Sequence, residues 1–182
     1  VKKPLNWDSK DMELNSGSID CIWNGFTMNG REDDYTFSTP YVDNSQVIVV
    51  AEKSGIDTLE DLAGKTVGVQ AASAALDLLK SEEEGGQKKL ADTFGALNEF
   101  ADYNTAFTEL QAGALDALAI DVGVANYQIK SRGEGYKILD ETLNTEQYAI
   151  GFKKGNQELC DVVNADLKKL TEDGTVAKLA EK

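Results

Sequence analysis

The chain has 182 residues, 41% hydrophobic and 27% charged, which is the balance of a globular protein with enough material for one domain or two small ones. A formal net charge of −14 without any basic patch excludes nucleic acid as a partner, because phosphate neutralisation needs clustered Lys and Arg. The absence of histidine removes Ser-His and Cys-His catalysis together with the commonest transition-metal ligand.

Taken in order, residues 8–15 read as a helix capped by Asp8 or Ser9, with Met12 on its inner face and Gly17 ending it. Residues 20–23 group Cys21, Ile22 and Trp23 as a short buried strand, which Asn24-Gly25 is expected to stop. The run SQVIVVA at 45–51 is β-branched and reads as a buried strand. Residues 59–62 form a short helix leading into a strand at 66–69, and 73–84 a helix with Ala75, Leu76 and Leu79 facing inward. The charged, Gly-broken stretch 82–89 reads as a solvated corner. Strands follow at 98–101, 114–120, 136–139 and 148–152, and helices at 104–111, 122–131, 158–171 and 175–181, the last two separated by Asp173-Gly174.

Strands alternating with helices predict α/β layers with a mainly parallel sheet. An internal repeat goes further. Glu13-Leu14-x-x-Gly17-x-x-Asp20-x-Ile22 recurs as Glu109-Leu110-x-x-Gly113-x-x-Asp116-x-Leu118, a helix that ends at Gly and feeds a strand beginning at Asp. Two such units suggest two similar lobes, although generic αβ turn chemistry would produce the same matches. Within 20–41, DCIWNGFTMNGREDDYTFSTPY, Arg31 is the one base. Its guanidinium fork suits a carboxylate on a small anionic or zwitterionic ligand at the carboxyl end of a strand. The alternative is a surface base paired with Glu32, Asp33 or Asp34, worth little.

GFTMNGRE followed by YTFSTPY resembles the signature of extracellular solute-binding proteins of polar amino-acid ABC transporters, family 3, with the periplasmic binding protein type II fold. The resemblance also takes in EQYAIGFKKG and the pattern at 170–179 around Asp173-Gly174-Thr175. It implies two α/β lobes joined by two hinge strands: 1–46 in the first lobe, 47–146 in the second, and 147–182 returning to the first with its C-terminal helices. The family's opening strand, Pro-aromatic loop and Gly-Phe-Asp helix, roughly fifty residues, do not occur in the chain, so one wall of the family's pocket is expected to be missing. The spacing from Thr27 to Arg31 is one residue shorter than is usual.

Carried over by resemblance, the Gly25 carbonyl would meet a ligand's α-ammonium, the Thr27 hydroxyl its backbone, and Arg31 its α-carboxylate. The turn QAASA places Ala72, where the family usually has Gly, and Ser73 at the other side of that carboxylate, beside a helix N-terminus. Asp121, ending the strand ALAID, would pair with the ammonium. Ser73 and Asp121 could equally be plain N-caps. Trp23 and Phe26 read as core, with a side-chain pocket that includes them and Asn24 as the alternative. Cys21 and Cys160 both fall in the first lobe, where an exported protein could oxidise them; two buried thiols are the other reading.

The expected function is capture of a free amino acid between closing lobes and delivery to a membrane permease. The protein would be a monomer without catalysis, metal or cofactor. No segment reaches the roughly 20 apolar residues of a membrane span. No signal sequence opens the chain, which reads as either cytoplasmic or already stripped of its export signal, and the resemblance implies an exported periplasmic protein or cell-surface lipoprotein. Alternatives are a cyclohexadienyl dehydratase-like enzyme on the same fold, for which no placed acid is evident, and a sensor domain of a signalling protein.

Overall fold

The computed structural model describes residues 1–133 and 135–180. The chain divides into two compact units, one formed by Lys10–Asp43 with the chain from Gln147 onward, the other by Lys2–Ser9 with Asn44–Glu146. Two ten-residue strands, Val42–Ala51 (β3) and Asn144–Lys153 (β8), carry the chain across that boundary.

In the first unit, helix α1 (Lys10–Asn15) precedes strands β1 (Ile22–Thr27) and β2 (Tyr35–Phe37), and helices α6 (Gln157–Glu172) and α7 (Thr175–Ala180) follow β8. Glu181, which the sequence adds to the last helix, lies outside the described residues. Both β1 and β2 run antiparallel to β8, and Gly151 lies opposite both Ile22 and Phe37. A side chain at Gly151 would strike the Phe26 ring, since a Cβ there would stand 2.7 Å from Phe26 Cδ1. Asn24-Gly25 does not end β1 as expected. The register shifts between Ile22 and Phe26, and Gly25 takes φ +83°, so the strand passes the turn-like dipeptide through a bulge and continues to Thr27. One face of β8 buries Ile150 and Phe152 against Cys160 and Leu167, which lie seven residues apart on one stripe of α6.

In the second unit, β4 (Thr66–Gln70) lies between β5 (Ala96–Phe100) and β6 (Ala117–Asp121), parallel to both. β3 is antiparallel to β6 and to β7 (Tyr136–Ile138), so the sheet is mixed, parallel only where helical crossovers join its strands. Helices α2 (Ala74–Lys80) and α3 (Lys88–Ala91) link β4 to β5, α4 (Tyr103–Ala112) links β5 to β6, and α5 (Val122–Arg132) follows β6. The β-branched run is buried on both faces. Ile48 and Val50 join Ala117, Ala119, Ala75, Leu76 and Leu79, whereas Val47 and Val49 join Leu118, Ile120, Phe107 and Leu110. Alternation along each strand thus feeds two cores on opposite faces of one sheet, which is why the strand reads as a continuous apolar run. Lys88–Ala91 is helical where 82–89 was expected to be a charged corner, and α2 stops at Lys80, well short of residue 84. Ser81 caps it in extended conformation.

The internal repeat is a repeat of backbone chemistry. Gly17 and Gly113 have φ of 77° and 76°. The Gly17 amide donates to Leu14 O at 3.2 Å and Ser18 N to Glu13 O at 3.0 Å, while Gly113 N donates to Leu110 O at 3.2 Å and Ala114 N to Glu109 O at 3.0 Å. This is the same left-handed helix stop, with paired 6→1 and 5→2 bonds, in each unit. A Cβ at either glycine meets nothing within 4 Å, so substitution changes backbone strain alone. Gly17→Ala and Gly113→Ala are each expected to lower stability by about 1 kcal/mol in urea denaturation; a neutral Gly113→Ala would show that the left-handed stop does not hold the end of α4.

Candidate functional site

Because β4, β5 and β6 are parallel, their carboxyl ends lie together, and the turns leaving them present Ala72-Ser73, Asp102-Tyr103 and Asp121 at one end of the second unit's sheet. Ser73 is buried and caps α2, accepting from Leu76 N at 3.2 Å, so its N-cap reading holds. Ala72 has φ +54°, a left-handed conformation unusual for a residue with a Cβ, and its carbonyl accepts from Trp7 Nε1 at 3.0 Å. Trp7 precedes α1 in sequence yet groups with this unit.

Asp121 stands at the N-cap position of α5 but makes no capping bond. Its oxygens are engaged elsewhere. Oδ1 accepts from Asn44 Nδ2 at 3.1 Å and Gln46 Nε2 at 2.8 Å, and Oδ2 from the Tyr103 hydroxyl at 3.1 Å. Tyr103 in turn bonds Ser73, and its phenol is pushed well above the usual range, by burial first and by the Asp121 and Glu146 charges after it. Asn44 and Gln46 also donate to Glu146 Oε1, each at 2.7 Å. Ser73, Tyr103, Asp121, Asn44, Gln46 and Glu146 therefore form one connected set. The sequence pointed to Ser73 and Asp121 and missed the rest. The available signal was Gln46, a lone amide inside a β-branched run, two residues from Asn44 on the same strand face.

In the first unit, the Arg31 guanidinium lies over the Phe26 ring, 5.1 Å from its centroid, which orients the fork and shields one side of it. Its backbone closes a turn, with Arg31 N donating to Met28 O and Arg31 O accepting from Asp34 N, both at 3.0 Å. Thr27 is buried at the end of β1. Gly25 has no room for a side chain, because a Cβ would meet Tyr148 Cε2 at 2.9 Å. Phe26 is core as expected, fully buried against Tyr35 and Phe37. Trp23 is not: it is 56% exposed, with its ring edge-on to Tyr41, and Asn24 beside it is exposed as well.

The disulfide that the sequence left open is not formed. Cys160 is buried, with Sγ donating to Phe37 O at 3.2 Å and accepting from Asn164 Nδ2, while Cys21 is half-buried on the edge of the same cluster. Burial raises both thiols, helped by Asp20 at Cys21 and Asp161 at Cys160, and so disfavours the thiolates that exchange requires. Among the described residues there is no group of His, Cys, Asp and Glu side chains that could hold a metal, and no helix is long and apolar enough to cross a membrane.

The chain belongs to the bacterial extracellular solute-binding proteins, family 3, whose model matches residues 1–182. It is 30% identical over 183 residues to the L-cystine-binding protein TcyJ of Escherichia coli strain K12, a match covering 99% of this chain and 65% of that protein's length. The structure of an ABC uptake transporter substrate-binding protein from Streptococcus pneumoniae with bound histidine is similar, with a TM-score of 0.86 and 34% identity over 94% of this chain and 70% of that one. The ancestral amino-acid-binding protein AncCDT-1, a precursor of cyclohexadienyl dehydratase, gives a TM-score of 0.85 at 28% identity, covering 98% of this chain and 75% of that one. These matches bear out the type II binding-protein fold.

A left-handed Ala is strained where Gly is not. Ala72→Gly is expected to raise stability by about 0.5–1 kcal/mol, relief of strain outweighing the added freedom of the unfolded chain. Trp7→Phe should lower it by about 1 kcal/mol through loss of the bond to the Ala72 carbonyl. Urea midpoints of the two variants moving in opposite directions check both.

Proposed function

We propose that this chain is the amino-acid-capturing part of the substrate-binding component of an ABC importer, exported to the periplasm or held at the cell surface as a lipoprotein, and acting as a monomer that passes its ligand to a membrane permease. Members of its family are extracellular solute-binding proteins by description. The chain spans about 65% of the length of the cystine-binding relative, so the activity of the whole protein is inferred from the part.

The observation that carries the reading is Asp121. An aspartate at an N-cap position that leaves its helix uncapped, and is instead fixed by three side-chain donors, is a pre-oriented anion suited to an α-ammonium. Arg31, oriented by Phe26, supplies the opposite charge, suited to an α-carboxylate. Since α2 has only seven residues, the contribution of the Ser73 turn rests on its hydroxyl and amides more than on a helix dipole. Thr27 and the Gly25 carbonyl complete the backbone contacts. Trp23 and Asn24, both exposed, are the side-chain selectors.

A dehydratase is the second reading, favoured by the likeness to AncCDT-1, which is itself an amino-acid-binding protein and a precursor of the enzyme. Turnover of prephenate separates the two, because a receptor gives none. Calorimetry against the twenty amino acids and cystine should find at least one that binds. Arg31→Ala should then weaken that ligand by roughly 2–5 kcal/mol, the loss expected when a desolvated carboxylate is left unpaired. Arg31→Lys, which keeps the charge and loses the fork, should weaken it as well, whereas Lys65→Ala should not. Undiminished binding by Arg31→Ala overturns the clamp.

A further inference from the structure

We propose that Glu146 is a positioning residue for Asp121, fixing the orientation and local charge of the acceptor that meets the ligand's ammonium; this rests on the reading of Asp121 given above. Glu146 is almost fully buried, at 4% exposure, and so are Asn44 at 5% and Gln46 at 0%. A primary amide carries two hydrogens and one acceptor oxygen. Asn44 Nδ2 lies 3.1 Å from Asp121 Oδ1 and 2.7 Å from Glu146 Oε1, and Gln46 Nε2 lies 2.8 Å and 2.7 Å from the same two oxygens. Each amide thus spends one hydrogen on each carboxylate, and the two carboxylates are bridged twice.

That double bridge has a direction. Turning either amide over would set its carbonyl against two anions, so both nitrogens are held toward Asp121. Gln46 Oε1 has no hydrogen-bond partner, which is the consequence of spending the nitrogen end on the carboxylates. Without the Glu146 oxygen, one hydrogen of each buried amide loses its acceptor, the amides become free to reorient, and Asp121 Oδ1 loses its fixed donors. The Tyr103 hydroxyl, which donates to Oδ2, does not replace them. The Glu146 charge acts in the same sense as the geometry. In a buried setting a second anion close to Asp121 strengthens the attraction for a cationic group far more than it would in water. Among the groups facing Asp121 are Asn44 and Gln46 from β3, Tyr103 from α4 and, across the amides, Glu146 from β8.

The test combines a ligand-free measurement with a binding cycle. In ligand-free protein, Glu146→Gln should move the carboxyl carbon resonance of Asp121, which Glu146 influences through the amides, together with the side-chain amide resonances of Asn44 and Gln46. Calorimetry with L-arginine, L-glutamine, L-histidine and L-cystine as probes should show the tightest of them weakened about tenfold or more by Glu146→Gln. In an Asp121→Asn background the same change should alter affinity by less than about twofold, the mark of two residues acting through one contact. Glu146→Asp, which keeps the charge on a shorter arm, should recover part of the loss and carries the cycle if Glu146→Gln does not fold. Glu84→Gln, on an exposed loop, is the control. A full, additive loss in the Asp121→Asn background, or an unmoved Asp121 resonance, overturns the proposal. Absence of any binding to the parent protein overturns the amino-acid reading instead, and the resonances then decide by themselves whether Glu146 governs Asp121.

Discussion

The arrangement at the polar end of the second unit depends on the register of β3 against β6. Gln46 lies opposite Asp121 in that antiparallel pair, and Val47, Ile48, Val49 and Val50 follow opposite Ile120, Ala119, Leu118 and Ala117. One slip along the strand would put a valine where Gln46 faces two carboxylates, and would exchange the two cores, since alternate residues of β3 serve opposite faces of the sheet. The apolar residues fix the register through burial. The amides use it. Burying Glu146 is tolerable because two amide donors meet one of its oxygens at 2.7 Å, and those donors are in reach only while the valines keep their places.

How much of this was legible in the sequence varies with the kind of force involved. Patterns set by burial read well: 45–51 is a strand because it is β-branched and buried on both faces, and the Glu-Leu-x-x-Gly repeat recovers the same left-handed helix stop in both units because only Gly takes that conformation without cost. Patterns set by tertiary pairing read poorly. Asn24-Gly25 has the chemistry of a turn, yet β8 offers a partner on which a bulge is cheaper than a stop. Tyr35–Phe37 is a strand for the same reason, three residues long and held by β8. Trp23 was expected in the core on hydrophobicity alone, but the register shift leaves it outside.

Of the candidate site residues, Ser73 and Asp121 at strand ends were named by resemblance to the family, and the residues that hydrogen-bond to them were not. Tyr103, Asn44, Gln46 and Glu146 come from two strands and a helix far apart in sequence, and no local pattern links them. Cys21 and Cys160 illustrate the converse. Sequence placed them in one unit and structure places them at one cluster, but proximity does not determine oxidation when the buried thiol is already bonded to Phe37 O and Asn164.

Three departures from local rules fall in the second unit's polar region. Ala72 takes a left-handed backbone that Gly would adopt without strain, Asp121 occupies a capping position and does not cap, and Gln46 leaves a buried oxygen without a donor. Singly, each costs on the order of 1 kcal/mol or more and would be removed by a simple substitution or rotation. Two of them meet at one contact, because Gln46 spends its nitrogen end on the same Asp121 carboxylate that does not cap α5. The local losses are therefore the cost of holding one carboxylate still in a direction that the helix beside it does not need. A chain that keeps such conflicts at the ends of β4 and β6 and at the β3 residue paired with Asp121, while satisfying local preference along the apolar stretch that follows, has the distribution of strain expected when a site, and not the fold, sets the choice of residue.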